Sequence, residues 1–186
     1  MSKKICILNG SPRPNGNTKA LITNFIKGAE ASGNNVVCFD LCKMNIHGCL
    51  GCCMGGKNAL SPCVQKDDME KIYPSYINAD VIVLASPMYY WGISGQLKCA
   101  FDRLFAVAEL SSDYKNPKKD CILLMAAEGD SESNFEPVKS FYTGLTSHLG
   151  WNNIGIIYAG GNMNAGDILS KPNQLNEAEA LGRSIS

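Results

Sequence analysis

An unbroken apolar run at residues 81–85 (Val-Ile-Val-Leu-Ala) constrains the fold of this chain more than any other feature. Such a run is typical of a β-strand that helices cover on both faces, as in a parallel sheet. Apolar segments at 3–9, 36–41, 121–127 and 154–159 predict four further strands. Because the segments between them carry apolar residues at helical spacing, we expect a doubly wound α/β fold, in which helices cover both faces of a five-stranded parallel sheet.

The segments between the strands predict helices with one apolar face each. Gly33 ends the first helix, Asp67 or Asp68 caps the second, and Pro74 must kink or end that second helix. The apolar faces comprise Leu21, Ile22, Phe25, Ile26 and Ala29; Met69, Ile72, Tyr73 and Tyr76; Leu97, Phe101, Leu104 and Phe105; Phe135, Val138, Tyr142, Leu145 and Leu149; and Leu175, Ala178, Leu181 and Ile185.

Length and charge limit the classes of protein to consider. At 186 residues the chain is most simply one domain over 1–186, with a cysteine-rich insertion at about 42–66. Lys plus Arg and Asp plus Glu both number 17, so no net charge favours a nucleic acid or an anionic membrane as partner. The N-terminus has no signal-peptide pattern, and no apolar run is long enough to span a bilayer. We therefore expect a cytoplasmic protein without membrane contact.

The segment 9–18 (Asn-Gly-Ser-Pro-Arg-Pro-Asn-Gly-Asn-Thr) is a strand-to-helix turn that is rich in hydrogen-bond donors. The free N–H groups and the dipole of a helix start favour an anion. The turn lacks the glycine pattern of dinucleotide folds and the Gly-Lys-Ser/Thr of a P-loop, so it favours a terminal monophosphate. An ordinary turn with a helix cap is the alternative. The predicted phosphate donors are Ser11, Arg13, Asn15, Asn17 and Thr18.

The segment 86–92 after the third strand places two tyrosines and a tryptophan side by side. Three adjacent aromatic side chains in a loop favour a flat ligand that covers them, although a core-anchoring or dimer-forming loop is the alternative. A monophosphate and a planar ring at the same sheet edge together describe FMN. Glu128 follows the fourth strand and reaches this edge, either beside the ring or as part of a polar turn. The predicted ring contacts are Pro87, Met88, Tyr89, Tyr90, Trp91 and Gly92.

An ordered set of short segments over most of the chain resembles the flavodoxin-like NAD(P)H-dependent FMN reductases and iron-sulfur flavoproteins. The resemblance implies strand order 2-1-3-4-5, NAD(P)H as electron donor, and assembly into homodimers or homotetramers. We interpret the adjacent Asp102 and Arg103 as a structural pair that fixes its helix. The segments are 9–13, 16–18, 67–69 (Asp-Asp-Met), 86–90, 95–98 (Gly-Gln-Leu-Lys) and 102–103.

The same resemblance implies roles for individual residues. It implies phosphate contacts from four residues of the first turn and ring contacts from four residues of the aromatic loop. No side-chain acid or base is obligatory for hydride transfer to a flavin, so we predict no catalytic residue. The phosphate contacts are Ser11, Arg13, Asn17 and Thr18, and the ring contacts are Pro87, Met88, Tyr89 and Trp91.

The nine cysteines fall into two groups. Cys6, Cys38, Cys99 and Cys121 lie in apolar strand or helix contexts and are most simply small buried side chains. The others lie in or just before the glycine-rich insertion, where four thiolates would suit a 4Fe-4S cluster or zinc. Their spacing departs from the compact Cys-x2-Cys-x2-Cys run of iron-sulfur flavoproteins, so a metal-free loop of redox-reactive thiols is the favoured interpretation. The candidate ligands are Cys49, Cys52, Cys53 and Cys63.

The sequence thus predicts a cytoplasmic FMN-dependent oxidoreductase that takes hydride from NAD(P)H. Its acceptor would be a flavin, a quinone or another small molecule, or a redox protein. Two alternatives remain open at this point. The first is an electron carrier, either flavodoxin-like or an iron-sulfur flavoprotein, and the second is a non-redox protein that binds another phosphorylated aromatic ligand.

Overall fold

The computed structural model describes residues 2–186 and contains the predicted parallel sheet. Its strand order is β2-β1-β3-β4-β5 and every neighbouring pair is parallel, which confirms the expected flavodoxin-like topology. One β-bulge interrupts the register between β4 and β5, at Cys121 and Ile122. The strands are β1 Lys4–Asn9, β2 Asn35–Asp40, β3 Val81–Pro87, β4 Asp120–Ala126 and β5 Asn152–Ala159.

The helices alternate with the strands, as the apolar spacing predicts. The predicted third helix divides at Leu104 into two, and Pro74 lies inside α2 without ending it. Gly150 ends α5 in a left-handed conformation that glycine adopts without strain. The helices are α1 Asn17–Ala31, α2 Met69–Asn78, α3 Gly95–Arg103, α4 Phe105–Ala108, α5 Glu132–Leu149 and α6 Pro172–Arg183, with 3-10 turns at Leu41–Lys43 and Asp167–Ser170.

Two apolar layers cover the sheet, one on each face. Alternate residues of β1 show the division, because Ile5 and Ile7 pack beneath α1 and α6 while Cys6 and Leu8 pack beneath α2, α3 and α5. All of residues 81–85 are buried, in agreement with a central strand that is covered on both sides. No helix within residues 2–186 is long and apolar enough to cross a membrane.

The cysteines predicted to be buried behave in two ways. Cys6 and Cys121 are fully buried, and burial raises the pKa of each thiol to about 12. Cys38 and Cys99 are only partly buried, so the expectation of full burial was wrong for these two. The physical reason is position, since Cys38 lies on the edge strand β2 and Cys99 lines a surface cavity between α3 and the turn after β2.

Main-chain hydrogen bonds join the loops at the carboxyl edge of the sheet. The N–H of Gly10 donates to the carbonyl of Ala85 over 2.8 Å, and the N–H of Met88 donates to Ala126 over 2.8 Å. The Ser94 hydroxyl, which also caps α3, donates to the carbonyl of Gly10 over 2.7 Å. The loops after β1, β3 and β4 are therefore held in one arrangement at the edge where ligands of doubly wound folds bind.

Candidate functional site

A cavity of about 230 Å³ lies at this edge, between the loops that follow β1, β3, β4 and β5. We call it the rim cavity. It brings together eight of the predicted site residues, from three separate segments of the sequence: Ser11, Arg13, Asn17, Thr18, Pro87, Met88, Tyr89 and Glu128. Five further residues of its wall were not predicted from the sequence, namely Gly16, Ala126, Ala127, Asn162 and Met163.

The start of α1 supplies hydrogen-bond donors at one end of the cavity. Its N-cap is Gly16, and no side chain caps the helix, so the first-turn N–H groups have no helical partner. Ser11 and Thr18 add hydroxyl groups and are both buried. A Cβ atom at Gly16 would lie 2.9 Å from the Cβ of Arg13, so only glycine fits this tight turn. The result is a compact nest of donors that suits an anion.

Arg13 brings a positive charge to the mouth of the nest. One of its terminal nitrogens donates to the main-chain carbonyl of Met163 over 2.8 Å. A guanidinium carries five N–H donors, so this bond leaves others for a ligand. Arg13 also joins the first loop to the loop after β5, which forms the opposite wall.

Asn17 is placed differently from its predicted role as a phosphate donor. Both N–H bonds of its side-chain amide are used, since Nδ2 donates to the carbonyls of Asn162 over 3.1 Å and Asn164 over 2.8 Å. Its Oδ1 accepts from the N–H groups of Gly166 and Ile168. The side chain therefore ties the loop after β5 to α1. The side-chain amide of Asn17 therefore has no free N–H for a phosphate. A phosphate contact by the main-chain N–H of Asn17 stays a prediction.

A polar relay that runs from the buried Ser11 and Asn9 to the partly exposed Asp40 fixes the backbone of the first turn. The N–H of Ser11 donates to Oδ1 of Asn9, whose Nδ2 donates to Asp40 over 2.9 Å. Lys19 and Lys43 also donate to this carboxylate, over 2.9 and 3.2 Å. Burial disfavours the charged form of Asp40, but the hydrogen bonds from Asn9 and the two lysines outweigh it and lower the pKa to about 2.

The aromatic loop forms a tight two-residue hairpin. Tyr89 and Gly92 exchange main-chain hydrogen bonds of 3.1 Å, and the two residues between them, Tyr90 and Trp91, have φ angles of 48° and 58°. Left-handed conformations are unfavourable for aromatic residues, at about 1 kcal/mol or more each. The turn sends Tyr90 into solvent at 98% exposure and leaves Trp91 at 55%.

Four predicted contacts consequently lie outside the wall of the rim cavity: Asn15, Tyr90, Trp91 and Gly92. Asn15 is exposed in the first turn, and Tyr90 and Trp91 lie in the turn that the bridge between Tyr89 and Gly92 closes. Of the three adjacent aromatic residues, only Tyr89 lines the cavity, because Tyr90 and Trp91 form the left-handed turn of the hairpin. Any contact between the other two aromatic residues and a bound ring stays a prediction.

Residues 44–68, which we call the cysteine loop, are held from within by Arg103. This buried guanidinium donates to the carboxylate of Asp67 over 2.6 and 3.1 Å and to the carbonyl of His47 over 2.9 Å. Burial alone would lower the pKa of Arg103, but Asp67 and the nearby Cys63 thiol outweigh it and raise that pKa. Asp102 instead pairs with Lys98 at the surface, so the two adjacent residues act separately.

The four candidate ligand cysteines of this loop do not converge. Cys49 and Cys53 are exposed, Cys52 is partly buried, and Cys63 packs against the core beside Arg103. Cys53 has a φ of 48°. Across residues 2–186, no three His, Cys, Asp or Glu side chains lie close enough together to hold a metal ion. The arrangement of the described thiols does not fit a cluster that needs four sulfurs around one centre.

Comparison with known proteins identifies the family. The family model for NADPH-dependent FMN reductase matches residues 3–163. The chain belongs to this family. The NADPH-dependent FMN reductases use a flavin and a nicotinamide donor, so the protein is a flavin oxidoreductase and an enzyme. This result confirms the resemblance that the motifs indicated.

Individual relatives agree with the family match. An iron-sulfur flavoprotein from Methanocaldococcus jannaschii is 28% identical over 140 residues, which cover 75% of this chain and 71% of the relative. One from Archaeoglobus fulgidus is 36% identical over 95 residues, but the match spans only 51% of this chain and 42% of the relative. The structure of an NAD(P)H:quinone oxidoreductase from Methanothermobacter marburgensis superposes with a TM-score of 0.78 at 21% identity, covering 98% of this chain and 96% of that one, which supports the shared fold.

The rim cavity suits the cofactor that this family name implies. Its donor nest matches a phosphate, and Pro87, Met88 and Tyr89 offer apolar and aromatic surface at the other side. The amide oxygen Oδ1 of Asn162 is buried without a hydrogen-bond partner. Asn162 could have been noticed in the sequence, because the run Gly160-Gly161-Asn162 follows β5 at the same edge of the sheet.

Proposed function

We propose that the rim cavity of this FMN reductase binds FMN, with the phosphate at the start of α1. Ser11, Thr18 and the first-turn N–H groups donate to the phosphate, and Arg13 balances its charge. Pro87, Met88 and Tyr89 contact the ring. The observation that carries the proposal is the meeting of an uncapped helix start and an apolar, aromatic wall in one cavity.

Bound FMN supplies the capacity to accept a hydride from NAD(P)H and to pass electrons to a second molecule. The protein orients the cofactor and leaves part of the site open to reactants. The half-exposed Tyr89 and the exposed Glu128 border the open side of the cavity, where a planar nicotinamide or acceptor ring can approach. No group of the chain needs to transfer a proton for this exchange.

We propose a small molecule as acceptor, such as a free flavin or a quinone. The open cavity supports this class of acceptor, and a fold neighbour is described as an NAD(P)H:quinone oxidoreductase. We also propose a homodimer or homotetramer as the working form. Exposed apolar side chains support an oligomer, since Tyr90 in the hairpin beside the site is almost completely exposed and Leu60 of the cysteine loop is exposed at 72%.

A combined spectral and kinetic experiment tests this function. The purified protein should bind one FMN per chain, and stopped-flow mixing with NADPH or NADH should bleach the flavin absorbance. A quinone added next should restore the absorbance over repeated cycles. A protein that binds FMN but is not reduced by either nicotinamide would instead be an electron carrier, and failure to bind FMN would overturn the proposal.

An iron-sulfur flavoprotein is the second candidate function. Both relatives described above carry that name, and the cysteine loop contains four thiols, the number that such a cluster needs. Iron and acid-labile sulfide should be measured on protein purified without oxygen. We expect amounts far below four of each per chain. A full complement that is lost on Cys49→Ser or Cys63→Ser would establish the second candidate instead.

A further inference from the structure

Asn162 is a buried residue of the rim cavity with one polar atom that has no partner. Its main-chain N–H donates to Ala127 over 2.8 Å, and its carbonyl accepts from Asn17. Its side-chain Nδ2 faces three oxygens, those of the Ala159 and Gly160 carbonyls and Oε1 of Gln174, at 2.9 to 3.0 Å. The remaining polar atom of the side chain, Oδ1, accepts no hydrogen bond from any of residues 2–186.

The orientation of this amide follows from its surroundings. The nitrogen and oxygen of an asparagine amide are usually assigned only from their hydrogen bonds. Here a flipped amide would press Oδ1 against three acceptors and lose every hydrogen bond of Nδ2. Oδ1 must therefore lie on the side away from those three oxygens. A buried, unpaired acceptor of this kind is unfavourable and indicates a donor that the protein itself does not supply.

The position of Asn162 indicates which donor this is. Its main chain bonds to Asn17 at the donor nest and to Ala127 at the end of β4, so it lies between the phosphate end of the cavity and the loop after β4. A phosphate dianion has no hydrogen to donate. The chain that joins the phosphate to the ring of FMN carries hydroxyl groups. Asn162 and the neighbouring Met163, which is 60% exposed, both line the wall of the cavity.

We propose that Asn162 is a specificity-determining residue of the cofactor site, and that its Oδ1 accepts a hydrogen bond from one ribityl hydroxyl of FMN. The inference rests on the proposed binding of FMN in this cavity. It assigns Asn162 to recognition of the sugar-alcohol chain, whereas Ser11, Arg13 and Thr18 recognise the phosphate. The N3–H of the ring is the other donor on the cofactor, and the test below separates the two.

The test pairs changes in the ligand with changes in the protein. Dissociation constants would be measured by flavin fluorescence for FMN, for three analogues that each lack one ribityl hydroxyl, and for N3-methyl FMN. The protein would be used unsubstituted, as Asn162→Ala, and as Asn164→Ala. Asn164 is a matched control, because its side chain is exposed on the same loop. Melting temperatures of each variant would verify that it is folded.

We expect the unsubstituted protein and Asn164→Ala to bind one deoxy analogue about five- to tenfold more weakly than FMN, as for the loss of one hydrogen bond. Asn162→Ala should bind FMN more weakly than the unsubstituted protein does, by a similar factor. It should bind that deoxy analogue and FMN with equal affinity. Equal weakening of all ligands by Asn162→Ala, or a loss of discrimination against N3-methyl FMN instead, overturns the inference.

If Asn162→Ala does not fold, the analogue series on the unsubstituted protein still tests whether the site recognises a ribityl hydroxyl. In that case the absence of any hydroxyl discrimination overturns the inference. FMN binding without hydroxyl discrimination leaves the proposed function intact and removes this inference alone. Failure of the unsubstituted protein to bind FMN removes both.

Discussion

The rim cavity and the cysteine loop are both irregular segments at the surface of the molecule, yet they are built in opposite ways. In the rim cavity, side chains from four loops converge, and several of their donors and acceptors remain free. In the cysteine loop, main-chain groups converge on Arg103 and Glu109, while Cys49 and Cys53 face solvent. The first region leaves polar groups free around a cavity, and the second uses its polar groups to fix its own backbone.

The comparison shows that a set of chemically suitable residues is not yet a site. Four thiols within a short glycine-rich loop have the composition of a metal centre, but the hydrogen bonds that fix the loop do not bring them together. The donors around Ser11 and the apolar wall around Met88 are far apart in sequence, yet they line one cavity. They do so because parallel strands end at one edge of the sheet.

The largest expected effect is on the anchor of the cysteine loop. Arg103→Met should lower the free energy of unfolding by about 3–5 kcal/mol, because it leaves the buried carboxylate of Asp67 without its partner. Urea unfolding would measure this change. Asp102→Ala is the control, since it removes only the exposed pair with Lys98 and should change stability by less than about 1 kcal/mol. Similar losses for both variants would show that Arg103 is not the anchor.

The next effect concerns the donor nest of the rim cavity. Arg13→Ala combined with Thr18→Ala should weaken FMN binding about 100-fold, because charge-assisted hydrogen bonds to the phosphate are lost. Riboflavin has no phosphate, so its affinity should fall less than about threefold. Flavin fluorescence titration measures both affinities. Lys27→Ala, which removes a cation of α1 that pairs with Glu179, should leave the affinity for both ligands unchanged. Equal losses for FMN and riboflavin would place the phosphate elsewhere.

A smaller effect tests the relay that supports the first turn. The pKa of Asp40 is lower in the folded protein than the ordinary value, so its ionised form stabilises the fold above pH 4. Asp40→Asn should therefore cost about 1 kcal/mol near pH 7. The difference between the two proteins should vanish as the pH falls from about 4 towards 2, where Asp40 takes up its proton. Urea unfolding across this range measures it, and a constant difference would contradict the relay.

The last prediction concerns chemical labelling of the thiols, which is expected to change neither stability nor affinity. Cys49 and Cys53 are exposed and should react quickly with a disulfide reagent near neutral pH, because thiolates are the reactive form and access is open. Cys6 and Cys121 should react only after unfolding, since burial raises each pKa to about 12. Mass spectrometry of labelled peptides gives the order of reaction. Protection of Cys49 and Cys53 in the native protein would mean that a metal, a disulfide or a partner covers them.

The sequence determined much of this protein by itself. The apolar run at 81–85 and the helical spacing around it fix an α/β sheet, because a strand with no polar face needs a cover on both sides. The donor-rich turn at 9–18 and the residues Pro87, Met88 and Tyr89 were predicted to share an edge, and they line one cavity. These inferences need only local patterns and the rule that parallel strands end together.

Tertiary structure decided which way the side chains face. Trp91 lies only two residues from the cavity residue Tyr89 in sequence, but it belongs to a left-handed turn and does not line the cavity. Asn17 looks like a phosphate donor in sequence, yet its amide is used by the loop after β5, some 150 residues away. The role proposed for Asn162 rests on three oxygens that hold its amide nitrogen and leave Oδ1 unpaired. Hydrogen bonds between distant segments set these orientations, and a local pattern carries no information about such partners.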